Sequence, residues 1–272
     1  LPPQRRRAVS GGERIRGHLL PDVLMSQLRD EAAGEPTGLR VMRIATHAAV
    51  RSRGLGSVLL DRIRERARRA DIDYLGVAYG VTPELARFWA DNGFSTVHLS
   101  TTRNARSGEH SAVMLDPLTD AGRELLDRHT DWFLRRTPAA VRESLADADP
   151  AVIRAACAAA DGVPELDLSE VEWRHAAGMA TGSAIFETAP RGPQRLCFRH
   201  LVAPAKRSLT PSQRRLLIRK GVQGQSWAAI AAAEDYHGES ACKREMGTVV
   251  GELVDLYGGP TARTVLDNGG SD

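Results

Sequence analysis

The stretch from residue 41 to residue 70, VMRIATHAAVRSRGLGSVLLDRIRERARRA, decides how the chain folds. Its first part, Val41-Met42-Arg43-Ile44-Ala45-Thr46, is a short apolar run bounded by turn residues and reads as a strand. Its last part, Ser57 to Ala70, reads as a helix: Leu59, Leu60, Ile63 and Ala67 share one face, and Asp61, Arg62, Arg64, Glu65, Arg68 and Arg69 take the other. A strand, a glycine-bearing turn and a helix with one apolar face begin an α/β unit. The alternation continues outward. Tyr74-Leu75-Gly76-Val77-Ala78 predicts a second strand, and Thr82-Pro83 supplies an N-cap with proline at the first helical position, ahead of Leu85, Phe88 and Trp89. Gly93 closes that helix, and Phe94 to Leu99 and Ser111 to Leu115 predict two more strands joined by the polar loop Thr102 to Glu109. The order β-α-β-α-β-β predicts an α/β domain, a mixed sheet with flanking helices.

Past Pro117 the alternation stops, and a domain boundary is placed there, with an α/β domain over 1–117 and a mainly α-helical tail over 118–272. Helix starts in the tail are well marked. Asp149-Pro150 opens an Ala-rich helix, Ser169 and Glu172 form a capping box, and Thr210-Pro211 with Gln213 combines a capping box with proline at the first position. Three helical segments then stand close together: Pro211 to Gly221, Ser226 to Glu234, and Ser240 to Tyr257 before Gly258-Gly259.

Composition limits the classes of function. The 272 residues are 42% hydrophobic and 26% charged, which excludes a disordered tail and leaves enough apolar surface for folded cores. No window reaches the roughly 18 consecutive apolar residues of a membrane span, and the opening is rich in Pro and Arg, unlike a secretory signal, so a cytoplasmic protein is expected. Cys157, Cys197 and Cys242 are far apart and lack C-x-x-C spacing, so they read as buried thiols, and no metal site is expected. Lys and Arg number 37 against 34 Asp and Glu, a net charge of +3 that by itself proves no polyanionic partner. Distribution says more: Leu201 to Lys220 carries Lys206, Arg207, Arg214, Arg215, Arg219 and Lys220 with no acid, which points to nucleic acid near the C-terminus.

The turn Arg51-Ser52-Arg53-Gly54-Leu55-Gly56-Ser57 carries the clearest chemistry. Two glycines let the backbone approach a ligand, and the free N–H groups where the helix starts form an anion site reinforced by the helix dipole, suited to a pyrophosphate. A plain structural turn is the alternative. A dinucleotide-binding loop would need a third glycine where Leu59 stands, and no Gly-x-x-x-x-Gly-Lys-Ser/Thr run exists for a nucleoside triphosphate.

Arg43-Ile44-Ala45-Thr46-His47 followed by Arg51 to Ser57 resembles the strand and acyl-CoA loop of the GNAT acetyltransferase superfamily. Further blocks narrow the likeness. They are Gly17-His18-Leu19-Leu20-Pro21, Asp73 through Pro83, Phe88-Trp89 with Asn92-Gly93-Phe94, and Ser107-Gly108-Glu109-His110-Ser111. Together they resemble the tRNA(Met) cytidine acetyltransferase family, which forms N4-acetylcytidine in RNA, and the likeness is dense from Gly17 to Leu115. The resemblance implies transfer of acetyl from acetyl-CoA to a cytidine amine, at the wobble position of elongator tRNA(Met). It implies that Ile44, Ala45 and Thr46 offer backbone to the pantetheine arm, and that Arg51, Ser52, Arg53, Gly54, Leu55, Gly56 and Ser57 hold the pyrophosphate. Glu84 matches a family position for acetyl-CoA, although an acid in a helix's first turn is favourable in any case. A family arginine seven residues on is Asp91 here, a departure that weakens this part of the match. The resemblance further implies an upstream ATP- or GTP-hydrolysing module and opening strands that this sequence lacks, so a C-terminal fragment is expected.

The amine of cytosine is neutral at pH 7 but conjugated with its ring, so orientation and oxyanion stabilisation matter more than a strong base. His110, beside Glu109, is a candidate to take the proton, with His47 its rival, and Tyr79 a candidate to protonate the leaving thiolate. Each has a structural reading as well: a histidine at a strand start is commonly hydrogen-bonded scaffold, and a tyrosine after a strand is commonly packing. In the tail, Gln225 to Ala231 followed by Ser240 to Arg244 resembles a helix-turn-helix reader, with Arg214, Arg215, Arg219 and Lys220 placed to meet tRNA phosphates. Its alternative is a three-helix bundle with a solvated basic face, and Trp227 is expected in its core. Two rival functions share these features: acetylation of a protein or small amine, and a non-catalytic RNA-binding module.

Overall fold

The computed structural model describes residues 1–12, 17–205, 209–260, 262 and 264, so Lys206 and Arg207 lie outside the described residues. The chain forms two compact units, residues 1–133 with 159–161, and residues 134–158 with those from 162 onward.

The first unit begins with helix α1 (Pro3–Ser10) and a helical turn α2 (Leu19–Pro21) that widens into a π-type turn over Asp22–Gln27. The α/β alternation follows as β1 (Gly38–Val41), α3 (Leu55–Arg69), β2 (Tyr74–Gly80), α4 (Pro83–Asp91), β3 (Ser95–Arg103) and β4 (His110–Pro117). The strand order is β1-β2-β4-β3, with β1 parallel to β2 and the other pairs antiparallel. This is the mixed sheet the sequence predicts.

Strand periodicity divides the core into two layers. Tyr74, Val113 and Leu115 pack with Leu20, Leu24 and Met25 and with Leu125 and Leu126 of α5 (Asp120–Arg142). On the other face Leu75, Val77 and Met114 meet Leu60 and Ala67 of α3 and Trp89 of α4. Two expectations need correction here. The strand expected over Val41–Thr46 is Gly38–Val41, and the chain leaves the ladder at Met42, which is 74% exposed, so that Ile44 can pack beside the α3 and α4 layer. Leu59 does not face the sheet. It is 49% exposed, and the packing falls to Leu60, Ile63 and Ala67, which are spaced three and four residues apart.

The first unit runs past Pro117 because Leu125 and Leu126 belong to its core, and the division falls inside α5. The second unit holds α6 (Pro150–Ala158), α7 (Glu170–Ala180), α8 (Arg191–Val202), α9 (Pro211–Leu216), α10 (Trp227–Ala233) and α11 (Glu239–Tyr257), with α9 continued by a π-type turn to Val222. Both capping boxes form as the sequence predicts, Ser169 with Glu172 and Thr210 with Gln213. The three cysteines are buried and free. Among the described residues no helix is long and apolar enough to cross a membrane.

Candidate functional site

A cleft of about 430 Å³ opens where α3 begins. Ile44, Ala45 and Thr46 form one wall, Arg51, Ser52, Gly54, Leu55, Gly56 and Ser57 form the floor, and Val50, Leu85 and Phe88 complete the lining. The sequence places nine of these residues in a ligand site, whereas it offers no sign of Val50, Leu85 or Phe88. The α4 pair could have been found from the helix period, since Leu85 and Phe88 lie three residues apart on one face.

The floor is built by backbone geometry. Ser52 and Gly54 both take left-handed conformations, at φ 57° and 76°, which fold the loop back onto the start of the helix. Gly54 is the N-cap residue of α3, and it has no side chain to satisfy the first-turn N–H groups. The contrast inside this chain is informative: Thr82, Ser169, Thr210 and Ser226 each accept a backbone N–H at the start of their helices. The first turn of α3 also holds no acid. Its donors and its dipole therefore stay available to an anion. Gly56 permits close packing, because a Cβ there would lie 3.2 Å from the ring of Phe88. The Arg51 guanidinium donates to Thr46 O at 3.2 Å, tying the floor to the wall.

The structure does not bring the other sequence candidates into this lining. Arg53 and Glu84 are exposed, and Glu84 stands in the first turn of α4, where an acid favours the helix in its own right. His47 caps the short turn Ala48–Val50, its Nδ1 accepting from Ala49 N at 3.3 Å. That bond occupies a lone pair a base would need. The Tyr79 hydroxyl donates to Met114 Sδ at 3.1 Å and its ring lies 6.1 Å from that of Trp89. Burial raises its pKa above the ordinary tyrosine value, which keeps the phenol protonated, and its ring packs partly buried against the α3 and α4 layer. His110 differs. It is 5% exposed, and its Nδ1 sits 3.0 Å from Ser100 O, which can only accept, so Nδ1 carries the proton and Nε2 keeps its lone pair. That Nε2 is shielded from solvent and has no partner among the described residues.

In the second unit the basic cluster is largely engaged internally. Arg215 and Arg219 share the buried carboxylate of Glu234, at 2.5 and 2.8 Å, and Arg219 also donates to Gln225 Oε1 at 3.1 Å. Lys220 donates to Gln225 O at 3.2 Å and lies 4.3 Å above the Trp227 ring, where burial lowers its pKa. The solvated basic face expected from sequence is thus partly neutralised, since Glu234 lies outside the acid-free stretch yet folds back onto it. Arg214 alone of the four is exposed without an ion pair among the described residues. Trp227 is buried as expected and donates to Glu187.

Residues 4–69 and 58–119 match the family described as GNAT acetyltransferase 2. The chain is 52% identical over 263 residues to the tRNA(Met) cytidine acetyltransferase TmcA of Haloferax volcanii, covering 97% of this chain and 35% of that protein. The protein of the same name from Haloarcula marismortui is 51% identical over 94% of this chain and 33% of its own length. That of Nitrosococcus halophilus is 33% identical over 93% and 34%. The chain spans about a third of the length of these curated relatives. With such identity sustained along nearly all of its residues, and the acetyltransferase family matched across its sheet, the chain belongs to the tRNA(Met) cytidine acetyltransferase family.

Proposed function

We propose that this chain carries the acetyl-transfer portion of an RNA cytidine N4-acetyltransferase of the cytoplasm, acting on the wobble cytidine of elongator tRNA(Met). The observation that carries the reading is the uncapped start of α3 beneath a glycine loop, open to a cleft whose opposite wall is backbone outside the sheet ladder. The names of the relatives support the acceptor. Acetyl-CoA fits this cleft because it pairs a pyrophosphate, which the α3 donors can hold, with a long polar arm that the Ile44–Thr46 backbone can follow. When bound it would supply the thioester, whose acetyl group would pass to the amine as the C–S bond breaks and coenzyme A leaves as the thiolate.

The chain's own groups then divide the work. Leu55, Leu85 and Phe88 give the cleft apolar sides that exclude water. Backbone N–H groups near Ile44–Thr46 polarise the thioester carbonyl. We assign the proton that leaves the amine to His110, whose ring is fixed through Nδ1 on Ser100 O outside the cleft lining and whose covered Nε2 the bound acceptor must reach. Arg214 serves RNA phosphates in the second unit, together with whatever reach Arg215, Arg219 and Lys220 keep beyond their internal bonds. Hydrolysis of ATP or GTP, which the family resemblance implies, would belong to sequence outside the third of the relatives' length that this chain spans. The test is incubation with acetyl-CoA and a tRNA(Met) transcript, followed by nucleoside chromatography. N4-acetylcytidine is expected, with kcat reduced roughly 10²-fold or more in His110→Ala at unchanged acetyl-CoA affinity. Full activity in His110→Ala removes the histidine from the reaction, and acetylation of protein or a small amine without RNA product removes the RNA reading.

A further inference from the structure

From the structure we infer that the β3–β4 hairpin is an RNA-contacting element, with Arg106 at its tip taking a phosphate of the acceptor strand and its base holding the His110 ring. This rests on the reading of the site given above.

The hairpin leaves the body of the sheet. The last pair between β2 and β4 is Gly80 with Ser111, so from His110 outward only β3 and β4 run on together. There the pairing is irregular: Leu99 faces Ala112 and Arg103 faces His110, which sets Ser100, Thr101 and Thr102 opposite Ser111 alone. Such a bulge re-aims the groups around it. Here the Ser100 side chain is bound to its own bulge, donating to Thr102 O at 2.9 Å and accepting from Thr102 N at 3.2 Å. The Ser100 carbonyl is left pointing at His110 Nδ1, 3.0 Å away. On its other side His110 is anchored to the sheet, its carbonyl accepting from Val81 N at 2.8 Å.

The tip is stiff for an exposed loop. Asn104 N donates to Glu109 O and Gly108 N to Asn104 O, both at 2.8 Å. The Asn104 side-chain oxygen accepts from Arg106 N at 2.9 Å and Ser107 N at 3.3 Å, and Arg103 donates to Gly108 O at 3.1 Å. These bonds use up the turn's own polar groups and leave the Arg106 guanidinium exposed, without an ion pair among the described residues. The acid nearest in sequence is withdrawn: the Glu109 carboxylate lies so close over Gly80 that a Cβ there would stand 2.1 Å from it. An exposed cation on a hydrogen-bonded turn, flanked by the exposed hydroxyl residues Thr101, Thr102 and Ser107, matches the donors that position a nucleic-acid backbone. The turn that carries Arg106 closes one step beyond the pair of Arg103 with His110, so a phosphate held there would lie on the same hairpin as the histidine proposed to take the proton.

Fluorescence anisotropy of labelled tRNA(Met) transcript against salt, with the wild-type chain and with Arg106→Ala and Arg106→Lys, tests the inference. We expect about tenfold weaker binding in Arg106→Ala, a salt slope shallower by roughly one phosphate contact, partial recovery in Arg106→Lys, and unchanged acetyl-CoA affinity. In turnover the loss should fall on KM for tRNA, with kcat kept. An unchanged slope in Arg106→Ala overturns the inference, and so does weakened acetyl-CoA binding, which would make Arg106 a cofactor contact. Binding is read without turnover, so a chain that binds tRNA through Arg106 yet makes no acetylcytidine would retain the hairpin and lose the proposed reaction. A wild-type chain that does not bind tRNA loses both.

Discussion

At the scale of single residues, the chain shows how burial and hydrogen bonding decide what a titratable group can do. Asp30 is the clearest case. Partial burial alone would raise its carboxyl pKa, but hydrogen bonds from His129 Nε2 at 3.0 Å and Arg128 Nε at 2.9 Å outweigh it and hold the pKa at about 2. A carboxyl whose folded pKa lies below its unfolded value near 4 stabilises the fold in full above that unfolded value, and the contribution disappears as pH falls through about 2. The size is roughly 2 kcal/mol. Asp30→Asn should therefore unfold at lower urea than wild type at pH 6, with the gap closing by pH 2; a gap independent of pH would mean that Asp30 acts through packing alone. The same physics separates the candidates at the site. His47 and His110 are equal in sequence, but one lone pair is taken by Ala49 N and the other remains on Nε2. No spacing rule could tell them apart, because the partners lie in the fold: Ser100 reaches His110 only through a bulge that sequence does not mark. Tyr79 is open to either role in the sequence, and in the fold its hydroxyl donates to Met114 Sδ outside the cleft lining.

At the scale of elements, periodicity was legible wherever an element buries one face against a neighbour. The second and fourth strands, the helix at Thr82-Pro83 and both capping boxes lie where turn and cap residues place them, whereas the third strand runs on to Arg103, into the polar loop expected from Thr102. The misreadings share a cause. Val41–Thr46 has the composition of a strand, but β1 has a paired neighbour on one side only, and Met42 leaves the ladder to bring Ile44 to the cleft. Leu59 follows the helix period as well as Leu60 does, and only the packing of α3 decides which is inside. Leu60→Ala should cost about 2–5 kcal/mol in thermal or urea unfolding, whereas Leu59→Ala should stay within about 0.5 kcal/mol. Equal losses would place both leucines in the core. The spacing of the glycine loop left an anion site and a plain structural turn both open, and what the fold adds is that Gly54 leaves the start of α3 without a side-chain cap.

At the scale of the whole molecule, the acetyltransferase family match falls on the sheet of the first unit, and the second unit is helical. Charge was the least legible feature. The acid-free stretch ending at Lys220 reads as a basic face, but Glu234, fourteen residues further on, returns to neutralise Arg215 and Arg219. The cations left exposed without an ion pair among the described residues, Arg106 in the first unit and Arg214 in the second, are the ones we propose for RNA contact. We place the pyrophosphate of acetyl-CoA at the start of α3. This claim is tested most directly by calorimetric titration of acetyl-CoA into the wild-type chain and into Gly56→Glu, with thermal unfolding recorded for both. The substitution sets a carboxylate at the anion site and crowds Phe88, whose ring is 3.2 Å from the new Cβ. Saturable binding by wild type and none by a folded Gly56→Glu is the predicted result; equal affinity in both proteins would contradict the claim.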